Sequence, residues 1–194
     1  MLRRFLRGSV RSVIGVWGYG SHAFLDAYIH DHTCRRIMEI GVFDGDNARR
    51  MVEAASQRVL SADVEYYGFD FFTGSSLHDV AAKLKGTGCR YQLFKGDTVD
   101  TLPATAPSLP LMDVIFIDGG KSFTEAQSDW ECSKPLMHRG TAVFVHNYEF
   151  SSVRRMVDGV NRDAYRVSIL HPPGDAATAM ITTKRYASNV NLTR

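Results

Sequence analysis

Apolar positions along the chain fall into two kinds of block: short unbroken runs, and longer stretches with helical spacing. Arg36 to Gly41 (RIMEIG) is the first short run, and Val64 to Asp70 (VEYYGFD), Tyr91 to Phe94, Met112 to Ile117 (MDVIFI) and Thr141 to Val145 (TAVFV) repeat the type. These read as strands. Between them, Met51, Val52, Ala55 and Val59 share the inner side of a helix capped by Asp46 or Asn47 and running to about Leu60. Further helices are expected over Ser21 to His32, over Leu77 to Lys85, from Ser122 or Thr124 to about Met137, and over Ser151 to Val160. The GTG after Lys85 and the pair Arg139-Gly140 act as stops. Three prolines in TLPATAPSLP predict a surface connection around a short helix at best. Tyr165 to Leu170 and Ala177 to Thr183 read as a closing strand pair around HPPGD.

Strands alternating with helices, and runs as apolar as VIFI and AVFV, are expected where helices cover both faces of a sheet. The pattern predicts a Rossmann-like, doubly wound α/β fold in three layers. Its sheet is mainly parallel and seven-stranded, with an antiparallel C-terminal pair. Ligands of such sheets lie at the C-terminal strand ends, near the switch in strand order. Glu39 to Gly45, Asp70, Asp97, Asp118, His146 and Asn147 all fall there.

Composition narrows this without redirecting it. A chain of 194 residues with 44% hydrophobic residues suits one domain over 1–194, with residues 1–20 as a basic lead-in carrying Arg3, Arg4, Arg7 and Arg11. The apolar part of that lead-in is short and broken by Gly15 and Gly18, unlike a signal peptide. A net charge of +2 gives no pull toward nucleic acid or an anionic membrane, and no apolar run reaches the roughly 20 residues of a membrane helix. Three cysteines without a CxxC pair suggest reduced thiols in a cytoplasmic protein.

The turn after the first strand reads ExGxxxG, with Glu39, Gly41 and Gly45, and carries further acids at Asp44 and Asp46. Glycines permit a tight turn and close approach of a ligand to the backbone. Three acids make a poor cradle for pyrophosphate but suit a cationic ligand. Asp70 ends the second strand, about thirty residues on, where an acid commonly holds ribose hydroxyls. A nucleoside with a positively charged amino-acid tail satisfies both: S-adenosylmethionine.

From about residue 36 to 150 the chain resembles the class I S-adenosylmethionine-dependent methyltransferases, with MEIGVFDG, YGFDFFTG, FKGDTVDTLP, MDVIFIDGGKSF and GTAVFVHNY in the family's order. Within the class it is most similar to the small O-methyltransferases of the catechol and caffeoyl-CoA type and to the macrolide-sugar methyltransferases. The resemblance implies that Glu39 and Gly41 lie under the methionine part of the cofactor. It also implies that Phe43 and Asp44 line its amino and carboxylate end, and that Asn47 sits near the carboxylate. Asp70 would hold the ribose, Gly96, Asp97 and Thr98 would lie beside the adenine, and Phe71 or Phe72 would cover the adenine face. Asp118, also at the cofactor, and Lys121 match the metal-binding aspartate and general-base lysine of the metal-dependent members. The Asp-Asn pair that completes their metal site is replaced here by His146-Asn147.

A hard cation lowers the pKa of an acceptor hydroxyl and orients its oxygen, and a lysine close by can take the proton. His146 puts a nitrogen where the family has an anionic oxygen, which disfavours magnesium and calcium and suits manganese or another transition metal better. Three readings therefore stand: Asp118, His146 and Asn147 hold a transition metal, they hold magnesium weakly, or the metal is lost and His146 is the general base. The implied activity is O-methylation of a small-molecule hydroxyl; the alternative is a module that binds the cofactor without methyl transfer. His22 is a candidate substrate contact. His30-Asp31-His32 reads as a solvated helix end. Tyr148, Phe150, Arg154 and Arg155 are candidates for an aromatic or anionic acceptor. With no large inserted cap, the site is expected to be shallow or completed by a second copy in a homodimer.

Overall fold

The computed structural model describes residues 22–184, so the basic lead-in lies outside the described residues. β1 (Arg36–Ile40), β2 (Glu65–Asp70), β3 (Arg90–Lys95), β4 (Met112–Ile117) and β5 (Met137–Val145) run parallel, and β6 (Tyr165–Leu170) and β7 (Thr178–Thr183) add an antiparallel edge. The order is β3-β2-β1-β4-β5-β7-β6. The strand order reverses between the parallel neighbours β1 and β4, which opens a crevice at their C-terminal ends.

Alternation along each strand assigns side chains to two cores. Ile37, Tyr66, Val114, Phe116, Ala142 and Phe144 face one layer, formed by α1 (Ala23–Asp31), α2 (Asp46–Ser56) and α3 (Leu77–Thr87). Met38, Ile40, Phe69, Ile115, Ile117 and Val143 face the other, formed by α4 (Thr98–Thr105), α5 (Phe123–Ser133) and α6 (Ser151–Asp158). Both faces of the central strands are thus dry, which explains their unbroken apolar runs.

Several boundaries differ from the sequence expectation. The TLPATAPSLP stretch contributes a regular helix, α4, because Asp97 accepts a capping hydrogen bond from Val99 N at 3.0 Å and Leu102 is fully buried. Pro103 removes one hydrogen bond from this helix, a loss of the same order as the gain from burying Leu102. The fourth long helix, α5, ends at Ser133 and not near Met137, since Pro135 carries no N–H and the chain tightens into a single 3₁₀ turn over Lys134–Leu136. Arg139-Gly140 then lies inside β5, where pairing skips from Met112↔Met137 to Val114↔Ala142. Thr141 pins that irregularity by donating to Met112 O and accepting from His138 N at 2.8 Å. Finally, α2 stops at Ser56, short of Leu60, which is exposed.

Candidate active site

The turn after β1 is built on two glycines that a side chain would disrupt. Gly41 has φ +89°, and a Cβ there would lie 2.5 Å from the carbonyl oxygen of Asp118. Gly45 has φ +78°, caps α2, and would press a Cβ to within 2.9 Å of Val80. The first contact matters for function, because it brings the turn expected to carry the methionine end of a cofactor against the end of β4.

Glu39 does not face this turn's open side. It is buried, with one carboxylate oxygen accepting from Asn47 Nδ2 at 2.7 Å and the other from the Tyr66 hydroxyl. Burial pushes its pKa up to about 8 in spite of these two donors. Glu39 and Asn47 therefore brace β1, β2 and the start of α2 from beneath. Asp44 and Asp46 are drawn together by Lys83, whose Nζ donates to Asp44 O at 2.7 Å and Asp46 Oδ1 at 2.8 Å. The turn's acidity is partly neutralised before any ligand arrives.

Asp70 accepts from Phe43 N at 2.9 Å and Phe72 N at 2.6 Å, one bond to each carboxylate oxygen. Each oxygen retains acceptor capacity for a ribose hydroxyl. Phe43 and Phe71 are half exposed beside it, whereas Phe72 is buried in the core, so of the two candidates for the adenine face only Phe71 is accessible. Gly96 N donates to Asp70 O at 3.0 Å, which places Gly96, Asp97 and Thr98 next to this acid. Asp97 is committed to capping α4, and Thr98 is largely buried.

The densest chemistry lies at the ends of β4 and β5. Lys121 Nζ donates to Asp118 Oδ1, and His146 Nδ1 lies 3.0 Å from the same oxygen. The other ring nitrogen of His146 is 3.0 Å from Asp175 Oδ1, and His22 Nδ1 is 2.7 Å from Asp175 Oδ2. Burial would lower the His146 pKa, but Asp118 and Asp175 outweigh it and raise the pKa above the ordinary value. Burial likewise opposes ionisation of Asp118 and Asp175, yet both are held below the usual carboxylate range by these cationic neighbours.

Asp175 was not singled out in the sequence, where HPPGD reads as turn chemistry alone. The turn aims it: Gly174 has φ +74°, Asp175 N donates to Pro172 O at 3.3 Å, and Ala176 N bonds back to Asp175 Oδ1 at 2.8 Å. Glu149 accepts from Ala177 N, and Tyr148 N donates to Ala177 O at 2.8 Å, so the segment after His146 holds the turn in place. His22, just ahead of α1, is buried against Phe116 at 4.8 Å and His146 at 4.5 Å between ring centroids. Of the acceptor candidates, Arg154 stacks on Tyr148 and Arg155 on Phe123, while Phe150 is half exposed at the start of α6.

The trio Asp118, His146 and Asn147 fits a hard cation poorly. The Asp118 oxygen nearest His146 already holds Lys121, and the second nitrogen of His146 faces Asp175. Asn147 adopts a left-handed backbone at φ +58°. Magnesium and calcium prefer a shell of several oxygen donors, and these three residues supply one carboxylate and one amide oxygen between them. The His30-Asp31 pair is an exposed contact at the end of α1, as its sequence suggests. All three cysteines are unpaired. Among the described residues no helix is long and apolar enough to cross a membrane.

Glycine turn, ribose-type acid and strand-end cluster, on this strand order, define a methyltransferase of class I architecture. The chain belongs to the Methyltransferase domain family, whose model matches residues 38–148. Its fold is shared with the O-methyltransferase TomG from Streptomyces achromogenes, solved with S-adenosylmethionine (SAM): 19% identity, TM-score 0.70, covering 84% of this chain and 78% of that one. It is similar to an O-methyltransferase from Bacillus cereus solved with S-adenosylhomocysteine (SAH): 18% identity, TM-score 0.67, coverage 83% and 79%. It is also similar to CalS11, a TDP-rhamnose 3'-O-methyltransferase of calicheamicin biosynthesis: 19% identity, TM-score 0.67, coverage 82% and 76%. A sequence comparison with curated proteins returns no match.

Proposed function

We propose that this chain transfers the methyl group of SAM to a hydroxyl oxygen of a small molecule, and that the acceptor is a phenol or a comparably acidic hydroxyl. The observation that carries this reading is the position of Asp118. Its carbonyl abuts the Gly41 turn, and its carboxylate gathers Lys121 and His146. The methionine end of the cofactor and the groups that meet the acceptor are therefore adjacent.

When bound, SAM supplies an electrophilic methyl group that passes in line to the acceptor oxygen, its S–CH₃ electron pair remaining on sulfur as a thioether. Gly41 and Gly45 would admit the methionine part, Asp70 the ribose, and Gly96 to Thr98 with Phe71 the adenine. Neither candidate base is free. Lys121 is ion-paired to Asp118, and both nitrogens of His146 face carboxylates. Such groups act by charge. Lys121 lowers the pKa of an approaching hydroxyl and holds its oxyanion, while the proton leaves to solvent. That suits a phenol, with a pKa of about 10, better than a sugar alcohol. Asp118, itself held by His146, fixes Lys121, and the exposed Phe150 offers an apolar face to an aromatic acceptor.

The test is transfer of labelled methyl from SAM by the full chain to catechol, caffeate and a sugar alcohol, beside calorimetry with SAH. Label in the phenols and not in the alcohol supports the reading. SAH binding without transfer to any hydroxyl favours the cofactor-binding module, and no SAH binding overturns both.

A further inference from the structure

The pairing of two histidines with one aspartate is more than the methyl-transfer reading uses. His22 precedes α1, His146 follows β5, and Asp175 lies in the β6–β7 turn, yet their ligand-type atoms all lie within 4.8 Å of one another. Among the described residues this is the one such group. Its side chains are 6%, 9% and 19% exposed, so solvent does not separate them.

His146 faces a carboxylate from each ring nitrogen, Asp118 at Nδ1 and Asp175 at Nε2. As an imidazolium it donates to both, and a divalent cation can take the place of the Nε2 proton. Such an ion, held between Nε2 of His146, Nδ1 of His22 and the Asp175 carboxylate, leaves the Nδ1 proton of His146 donated to Asp118. A carboxylate behind a ligating imidazole is the usual outer support of such ligands, fixing tautomer and ring orientation.

Spacing and chemistry agree. Metal–nitrogen bonds of about 2.0–2.1 Å set neighbouring ligand atoms roughly 3.0–3.4 Å apart. The observed 2.7 and 3.0 Å contacts run to the two oxygens of Asp175, and one ligand atom from each residue lies within 4.8 Å of the others, so the side chains must turn inward by about an ångström to reach that range. The His22 ring is held by Phe116 and by His146 itself, so its orientation is set before an ion arrives. Two imidazoles and one carboxylate select a borderline divalent ion over magnesium or calcium.

We propose that His22, His146 and Asp175 bind a divalent transition-metal ion of the zinc, cobalt or iron type, with Asp118 supporting His146 from behind. This set shares only His146 with the Asp118/His146/Asn147 trio. It ties α1 to the β6–β7 turn across the end of β5, and it stands whether or not the chain transfers methyl groups.

The experiment uses the full chain freed of metal by chelator, titrated with cobalt(II) followed by its visible d–d absorption and with zinc by calorimetry. The expected result is one ion per chain, undisturbed by excess magnesium. Affinity should fall by at least about tenfold in His22→Gln and in Asp175→Asn, and remain unchanged in Asn147→Ala. The two ligand variants sit in separate elements, and circular dichroism with SAH calorimetry on each shows that the fold persists. Absence of stoichiometric binding to the wild-type chain overturns the proposal. So does binding that survives both ligand variants, or that is lost in Asn147→Ala while His22→Gln retains it.

Discussion

Oδ1 of Asp118 and Nδ1 of His146 stand 3.0 Å apart across the ends of neighbouring strands, and the same oxygen receives the ammonium of Lys121. One carboxylate therefore orders both groups of the strand-end cluster. It can do so because β4 and β5 pair in register at Ile117↔Val145, which leaves Asp118 and His146 as the next residues of each strand. His146 N also donates to Ile117 O at 3.0 Å, extending the ladder to the site itself.

If Lys121 stabilises an acceptor oxyanion, Lys121→Met should lower the rate of methyl transfer by about 10²–10³-fold. The affinity for SAH should change by less than about threefold, since the lost interaction is made in the transition state and not with the cofactor. Initial rates and calorimetry on the same preparation check both. A variant with undiminished turnover would remove Lys121 from the mechanism.

Asp70 offers the clearest test of the cofactor site. Asp70→Ala removes the expected ribose acceptor and releases the backbone N–H groups of Phe43 and Phe72. A charge-assisted hydrogen bond contributes about 1.5–3 kcal/mol, so the dissociation constant for SAH should rise roughly 10- to 150-fold. Retained affinity would mean that the nucleoside does not lie at the end of β2.

Most of this arrangement was legible in the sequence. Asp70, Asp118 and His146 were visible because each closes an apolar run, and strand ends in a doubly wound sheet are where ligands bind. What stayed hidden depended on tertiary contacts. Asp175 sits among residues that all favour turns, so nothing local separates a carboxylate that aims at two histidines from one that caps its own loop. Lys83, which neutralises Asp44 and Asp46, comes from a helix about forty residues away. The α4 helix was masked by the prolines around it, of which only Pro103 lies inside it, toward its C-terminal end, where the burial of Leu102 offsets the lost hydrogen bond. Arg139-Gly140 has the composition of a helix stop, yet Pro135 had already ended α5, and the pair became an irregularity in β5.

Gly41→Ala tests the junction between the two halves of the site. The new methyl would meet the Asp118 carbonyl at 2.5 Å in a backbone conformation of φ +89°. Left-handed strain at a non-glycine residue costs about 1–3 kcal/mol, and the contact with rigid backbone adds to it. A loss of at least about 2 kcal/mol is expected, seen as a fall in Tm of roughly 4–8 °C. An unchanged Tm would show that the turn can move away from β4.

Asp129 predicts how stability depends on pH. It lies fully buried on α5, with neither oxygen in a hydrogen bond of ordinary geometry. Burial pushes its pKa up to about 7, and the Thr98 hydroxyl opposes the shift without cancelling it. In the unfolded chain the group ionises near pH 3.9. Between those values the folded state keeps a proton that the unfolded state has lost. The stability linked to this proton is therefore complete below the unfolded pKa and falls as pH rises toward about 7. Glu39, raised to about 8, adds a slope of the same sign, so the absolute curve cannot be assigned to one residue. Asp129→Asn removes only its own part. Denaturant unfolding at pH 5 and pH 7 should show the wild-type chain losing roughly 2 kcal/mol more than the variant over that interval. Parallel curves would mean that Asp129 is ionised in the folded protein, and that a cation or water compensates it beside Gly119, where a side chain would approach Asp129 Oδ2 to 3.4 Å.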